Sequence, residues 1–121
     1  MSRAQAIGGA AERAAVAFLS AQGCEILGVN VRVGHLEIDV VARLDRTVLV
    51  VEVRSRGTSS WTSAFGSIDA KKRARVRTAG ERLWDRRFRL DPQIDHLRFD
   101  TVSVTFDDRG QAHVEYVPAA F

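Results

Sequence analysis

The stretch "LEIDVVARLDRTVLVVEVRSR", residues 36–56, decides the fold because it predicts two β-strands joined by a tight turn at Asp45-Arg46. Valine, isoleucine and leucine fill most of both strands, as is typical of strands buried in a sheet. Three acids nevertheless lie among them: Glu37, Asp39 and Glu52. A carboxylate flanked by valines loses hydration, so something in the folded protein must compensate for that cost.

The rest of the chain predicts helices and strands around this hairpin. Helices are expected over residues 9–22, with Gly23 as the C-terminal cap, and from an N-cap at Ser67 to about residue 87. The predicted strands cover residues 24–33, 35–44, 47–55, 96–106 and 112–117, the last as an edge strand. Gly, Ser and Thr are frequent in residues 56–66, which indicates a loop. The order is α-β-β-β-α-β-β, and the first three strands form an antiparallel meander.

Size and composition favour a single compact domain over residues 1–121, because the length suffices for a hydrophobic core. The single cysteine, Cys24, excludes an intrachain disulfide and a cysteine-rich zinc site. We interpret it as a small apolar strand residue rather than as a catalytic thiol. Neither a secretory signal nor a membrane span is recognisable, so we expect a cytoplasmic protein with no membrane partner.

Positive charge is concentrated in the second predicted helix. The formal net charge is +3, and residues 69–89 hold nine basic residues against three acidic ones. Such a helix is either a solvated, charge-exposing element or a surface that contacts phosphates. Lys71, Lys72 and Arg75 are the predicted nucleic-acid contacts, because they lie towards the helix N-terminus, which itself attracts anions. Trp61 in the preceding loop either stacks on an unpaired base or packs over the core.

The acids of the hairpin point to a metal. Side chains alternate along a strand, so Glu37 and Asp39 share one face, and Glu52 and Arg54 share a face of the next strand. In a hairpin, Asp39 and Glu52 can lie on the same side of the sheet, where they repel one another unless a cation stands between them. A divalent ion with oxygen ligands would supply that compensation. The alternative is that the acids are solvated or pair with Arg32 or Arg54.

Several segments carry a family resemblance. "EID" followed by "VVEVR" resembles the PD-(D/E)xK nuclease signature, in which one acid precedes a strand with an acid-x-lysine pattern. The wider series resembles the YraN-like family of predicted endonucleases, distantly related to archaeal Holliday junction resolvases. It covers about residues 8–106 in five ordered segments: "GGAAERAAVAFLSAQGCEILGVNVR", "LEIDVVA", "LVVEVRSR", "DAKKRARVRTAGERLW" and "LRFDTVSV".

The resemblance implies a restriction-endonuclease-like fold, a mixed β-sheet flanked by helices. It also implies a metal-dependent DNA endonuclease that hydrolyses phosphodiester bonds in branched or recombination and repair DNA, acting as a homodimer. Asp39 and Glu52 would hold Mg²⁺ or Mn²⁺, helped by the carbonyl of Val53. Glu12 would be an additional ligand or water positioner, although without the resemblance it is a solvated helix residue. Glu37 would be an accessory acid.

The chain departs from the family pattern at Arg54, where the family usually has lysine. Arginine stays protonated and cannot act as a base, whereas it can still orient a hydroxide or stabilise developing charge. The second departure is His35, inserted before the acidic motif and expected to be a surface strand residue. Two other functions therefore stay open: a nucleic-acid-binding module with weak or no catalysis, and an adaptor whose basic helix docks an acidic protein.

Overall fold

The computed structural model describes residues 3–56 and 62–121, with side chains described at 9–55 and 70–121. It contains two helices and five strands in this chain order: α1 (Arg3–Ala21), β1 (Glu25–Val33), β2 (Leu36–Leu44), β3 (Thr47–Arg56), α2 (Thr62–Leu83), β4 (His96–Phe106) and β5 (Ala112–Val117). A short π-helical turn, Trp84–Phe88, continues α2. The predicted order α-β-β-β-α-β-β is confirmed.

The five strands form one mixed sheet in the order β1-β2-β3-β4-β5. β1, β2 and β3 pair antiparallel, which confirms the predicted meander. β3 and β4 pair in parallel, so the chain must cross over between them, and α2 lies in that crossover. β5 pairs antiparallel with β4 and forms the far edge, as predicted. The mixed sheet with flanking helices is the expected fold class.

The two helices cover opposite faces of the sheet. Ala11, Ala15 and Leu19 of α1 pack on one face, and Val76, Ala79 and Leu83 of α2 pack on the other. β3 alternates regularly between these two cores, with Leu49, Val51 and Val53 facing α1 and Val48 and Val50 facing α2. By the same alternation, Glu52 and Arg54 lie on the α2 face of the sheet.

The ends of the elements correct several predictions. α2 begins at Thr62, so Ser67 lies inside the helix and is not its N-cap. Helix propensity is a weak prior that tertiary packing overrides, and this segment is too rich in Gly, Ser and Thr to predict a helix. α1 likewise begins earlier than predicted, at Arg3. Trp61 and the rest of residues 57–61 lie outside the described residues.

The turns before β1 and before β2 contain Gly23 and His35, whose roles were predicted from the sequence. Gly23 has a φ of +92°, and Cys24 N–H donates to the carbonyl of Leu19 over 3.0 Å, which confirms the predicted glycine cap of α1. Cys24 is buried just before β1 rather than within it. His35 is exposed and lies in the turn before β2, not in the strand as predicted.

None of the described helices combines the length and apolarity that a membrane span requires.

Candidate functional site

Asp39 lies at a point in β2 where the side chains stop alternating regularly between the two faces of the sheet. Ile38 and Val41 both pack on the α2 side, whereas Val40 packs on the α1 side, so strict alternation breaks at this point. The neighbouring strand is irregular at the same level, because Asn30 of β1 has a φ of +52°. The Asp39 side chain therefore emerges at a local distortion of the sheet rather than in a regular ladder.

The carboxylate of Asp39 accepts a hydrogen bond from β3 that a backbone carbonyl of β2 would accept in a regular sheet. That pairing runs to Val40 opposite Val51, and beyond it the Val53 N–H donates to Asp39 Oδ2 over 2.8 Å. The N–H and the carbonyl of a strand residue point to the same edge, so the Val53 carbonyl faces the same gap. Burial raises the pKa of Asp39, while the Val53 hydrogen bond and the charge of Lys72 oppose that rise.

Glu52 is the most deeply buried acid of this region, with 1% of its surface exposed. It lies on β3, one residue beyond Val51, and continuing the pairing by one step places it opposite Asp39. Neither carboxylate oxygen accepts a hydrogen bond from any residue that the structure describes. A buried carboxylate without hydrogen bonds is costly unless charges compensate for it.

Three cations surround the Glu52 carboxylate just beyond hydrogen-bonding distance. Lys72 Nζ and Arg54 Nε lie 3.8 Å and 4.0 Å from Oε1. Arg73 Nε lies 3.8 Å from Oε2. Distances of this size give electrostatic attraction without a hydrogen bond. The carboxylate is therefore neutralised at a distance, and its lone pairs remain available among the residues described.

Glu12 approaches the same region from α1. Its pKa is raised by burial, opposed by a side-chain hydrogen bond with Asn30, and raised further by the charges of Asp39 and Glu37. Glu37 is more exposed, with 44% of its side chain accessible, and its Oε2 lies 3.9 Å from Arg32 Nε. The structure thus brings Glu12 within electrostatic reach of Asp39 and leaves Glu37 at the surface beside them.

The basic residues predicted to bind nucleic acid divide into two groups. Lys72 faces Glu52, whereas Lys71 and Arg75 are exposed on the outside of α2. Sequence reasoning did not select Arg73 as a site residue, although a signal exists. Lys72 and Arg73 precede the buried Val76 by four and three residues, which places both on the side of the helix that faces the sheet.

Asn30 is the second residue that sequence reasoning missed. Asparagine is disfavoured in strand interiors and tolerates a positive φ, so its place between Val29 and Val31 is a local signal of an irregularity. The signal does not identify its partner. Only the fold brings Asn30 of β1 to Glu12 of α1.

The donor atoms of this region suit a hard divalent cation. Asp39 and Glu52 offer carboxylate oxygens and Val53 offers a carbonyl, all of them oxygen ligands. Within the described part of the chain, no three Asp, Glu, His or Cys side chains are gathered closely enough to hold a metal by themselves. Mg²⁺ is commonly held by only one or two carboxylates, with waters and substrate phosphates completing its coordination. The pair of acids fits that pattern.

Comparison with known proteins gives consistent matches. The sequence model of a family described as "Uncharacterised protein family UPF0102" matches residues 11–104. A UPF0102 protein of Sorangium cellulosum (strain So ce56) is 54% identical over 117 residues, which cover 97% of this chain and 81% of that protein. A UPF0102 protein of Myxococcus xanthus (strain DK1622) is 40% identical over 115 residues, covering 94% and 87%. One of Bacteroides thetaiotaomicron is 30% identical over 121 residues, covering 100% and 96%.

Proposed function

The chain belongs to the UPF0102 family, and we propose that it is a metal-dependent endonuclease that hydrolyses phosphodiester bonds in DNA. The matches agree with the resemblance to the YraN-like family, and the nuclease activity is the step that we add. It rests on the chemistry of the acids and of the basic helix beside them. Mg²⁺ or Mn²⁺ is the proposed cofactor.

The observation that carries this proposal is the state of Glu52. A buried carboxylate whose two oxygens accept no hydrogen bond from the described residues requires a physical explanation, because an apolar side chain of similar size would avoid the cost of burying a charge. A metal ligand is the group for which open lone pairs are required. Asp39, held in place by the Val53 N–H, supplies the second carboxylate on the adjacent strand.

Each side chain then has a defined task. Asp39, Glu52 and the Val53 carbonyl would hold the metal, which when bound activates a water and neutralises charge on the phosphate. Arg54 presents a fixed positive charge beside Glu52 and would stabilise the charge that develops on the phosphate oxygens. Glu12 would add a ligand or position the attacking water, because its side chain bonds with Asn30 and lies within electrostatic reach of Asp39.

The substrate that we propose is DNA with branched or otherwise processed structure. Lys71 and Arg75 are exposed on the same helix as Lys72, which faces Glu52, and they would contact backbone phosphates. Phosphate contacts position a nucleic acid without reading its sequence, so recognition by shape fits this surface. A cytoplasmic location and a homodimer remain predictions. Size-exclusion chromatography with light scattering tests the dimer.

Cleavage of branched DNA tests the proposal. Purified full-length protein is incubated with a labelled four-way junction and a matched linear duplex, in Mn²⁺, in Mg²⁺ and in EDTA. We expect nicking that requires the metal and disappears in Asp39→Ala. Equal cleavage by wild type and Asp39→Ala would contradict the assignment, and so would cleavage that persists in EDTA.

A second candidate function is a nucleic-acid-binding module that keeps the fold without efficient catalysis. Arg54 favours it, because arginine lies where the resemblance expects a lysine that takes part in proton transfer. This candidate predicts DNA binding that weakens with salt but shows no metal-dependent nicking. Arg54→Lys discriminates between the two: under the binding-module reading it creates nicking where wild type has none.

A further inference from the structure

Lys72 occupies a position near Glu52 where its ammonium would compete with a bound divalent metal. Its Nζ lies 3.8 Å from Glu52 Oε1. Burial raises the pKa of Asp39 and of Glu12, and the charge of Lys72 opposes that rise in both. The ammonium is therefore part of the charge balance of the acids. A divalent metal held by the same carboxylates would neutralise the same negative charge. Both cations would have to share one face of Glu52, where their repulsion is strong.

Lys72 and Arg73, the two cations of α2 that lie near Glu52, differ in how tightly their side chains are packed. The Arg73 guanidinium carbon lies 5.5 Å from the centre of the Phe121 ring, and that ring in turn packs on Phe99 at 5.4 Å. Arg73 is thus braced against aromatic groups, and its side chain is 35% exposed. Lys72 has a 47% exposed side chain and a long flexible stem, so its ammonium can turn outward while its stem still covers the helix.

We propose that Lys72 is an exchangeable counter-ion, which neutralises Glu52 until a divalent metal replaces it and then turns outward to bind a phosphate of the nucleic acid. The exchange costs little, because no hydrogen bond from a described residue to Glu52 is broken and the incoming divalent metal keeps the buried carboxylate compensated. The lysine that leaves is the exposed end of the pair, with 47% of its side chain accessible, so its ammonium returns to water. The outward position lies beside Lys71, on the exposed side of the helix. Metal and nucleic acid would therefore bind cooperatively through one side chain.

This inference rests on the proposed function, since it assumes that a metal and a nucleic acid share the site. The coupling between metal binding and phosphate binding is reciprocal. If metal binding releases Lys72 and strengthens phosphate binding by some factor, phosphate binding must strengthen metal binding by the same factor. A lysine that merely stabilised the fold would give no such coupling, and this difference makes the inference testable without measuring cleavage.

Metal affinity is the first test. Ca²⁺, which takes oxygen ligands, is titrated calorimetrically into the full chain as wild type, Lys72→Gln and Lys71→Gln. Lys71 is the matched control, because it is the adjacent exposed residue and the change removes the same charge. Lys72→Gln is expected to tighten Ca²⁺ binding by about fivefold, since a competing cation is removed. Lys71→Gln is expected to change it by less than about twofold, because solvent and salt screen its charge. An unchanged or weaker affinity in Lys72→Gln would overturn the inference.

DNA affinity with and without the metal is the second test. Fluorescence anisotropy of a labelled four-way junction is followed in EDTA and in Ca²⁺ for the same three proteins. Ca²⁺ is expected to tighten binding by wild type and by Lys71→Gln, and to do so about threefold less in Lys72→Gln. An equal gain in all three proteins would overturn the inference. Neither measurement uses cleavage, so failure to cut DNA in Mn²⁺ would overturn the proposed endonuclease and leave this coupling intact.

Discussion

Two buried carboxylates of this protein are held in opposite ways. Asp100 of β4, with 0% exposure, accepts bonds from Arg98 Nε and Nη2 at 2.9 Å each and from Ala119 N–H at 2.8 Å. The Tyr116 hydroxyl donates to it as well. Glu52 of β3, with 1% exposure, accepts no hydrogen bond from the described residues and has three cations at 3.8–4.0 Å.

The difference fits a structural role for Asp100 and the metal-binding role that we propose for Glu52. Every lone pair of Asp100 that faces a donor is used, so the residue ties β4 to β5 and to the segment around Ala119 and has nothing left to offer a ligand. Glu52 has the charge compensation that burial requires but not the hydrogen bonds. We therefore propose that its oxygens serve as metal ligands rather than as acceptors that stabilise the fold. Substitutions at the two acids should therefore separate activity from stability.

The largest effect that we expect is the loss of activity in Glu52→Gln. Replacing the carboxylate by an amide removes the negative charge of the proposed metal ligand, and Mn²⁺-dependent cleavage of the four-way junction should fall on the order of a thousandfold. Stability should fall less than in Asp100→Asn, because Glu52 accepts no hydrogen bond from the described residues, although Arg54, whose side chain is 16% exposed, loses a nearby negative charge. Urea unfolding of the same preparation is the control. A large loss of stability would mean that Glu52 belongs with Asp100 as a structural acid.

The next effect is the loss of stability in Asp100→Asn. The amide nitrogen cannot accept hydrogen bonds, and either carboxylate oxygen that it replaces accepts two of them. Oδ2 accepts from Arg98 Nη2 and the Tyr116 hydroxyl, and Oδ1 accepts from Arg98 Nε and Ala119 N–H, so hydrogen bonds to a charged acceptor are broken in both orientations. We expect a decrease of about 3 kcal/mol in the free energy of unfolding, measured by urea denaturation at neutral pH. Cleavage by the fraction that remains folded should stay within about threefold of wild type, because Asp100 lies on the α1 side of the sheet. Equal stability of wild type and Asp100→Asn would contradict the structural role assigned to Asp100.

The smallest effect concerns the single tyrosine, which reports on Asp100. Burial, followed by the hydrogen bond to Asp100, raises the pKa of Tyr116 to about 12. Because the folded-state pKa lies above the unfolded value near 10, the contribution to stability is complete below about pH 10 and is lost as pH rises towards 12. Phenolate absorbance at alkaline pH measures the titration.

The same titration in Asp100→Asn sharpens the comparison. The tyrosine pKa should decrease in the variant without returning to 10, since burial is the larger cause and persists. Glu52→Gln, which lies on the other side of the sheet, serves as the control and should leave the titration where it is. A tyrosine that titrates near 10 in the folded wild type would contradict the buried network around Asp100.

Sequence patterns predicted most of the sheet but less of the site. Alternation and clear turn residues gave the bounds of β4 and β5 and the alternation of β3, because local periodicity and burial agree there. The start of α2 was missed, since local composition and tertiary packing disagree around Ser67. Asp39 and Glu52 were recognisable as acids among valines. Asn30 and Arg73 were not selected as site residues, because their partners lie on elements distant in sequence.

The central claim is that Asp39 and Glu52 hold one divalent cation, and a crystal soaked in Mn²⁺ tests it most directly. Anomalous scattering locates the metal independently of any assumption about its ligands. We predict a peak within about 2.0–2.6 Å of oxygens of both carboxylates, with Lys72 turned away from Glu52. A crystal that binds Mn²⁺ elsewhere, with Lys72 and Arg73 still closing around an unliganded Glu52, would contradict the claim.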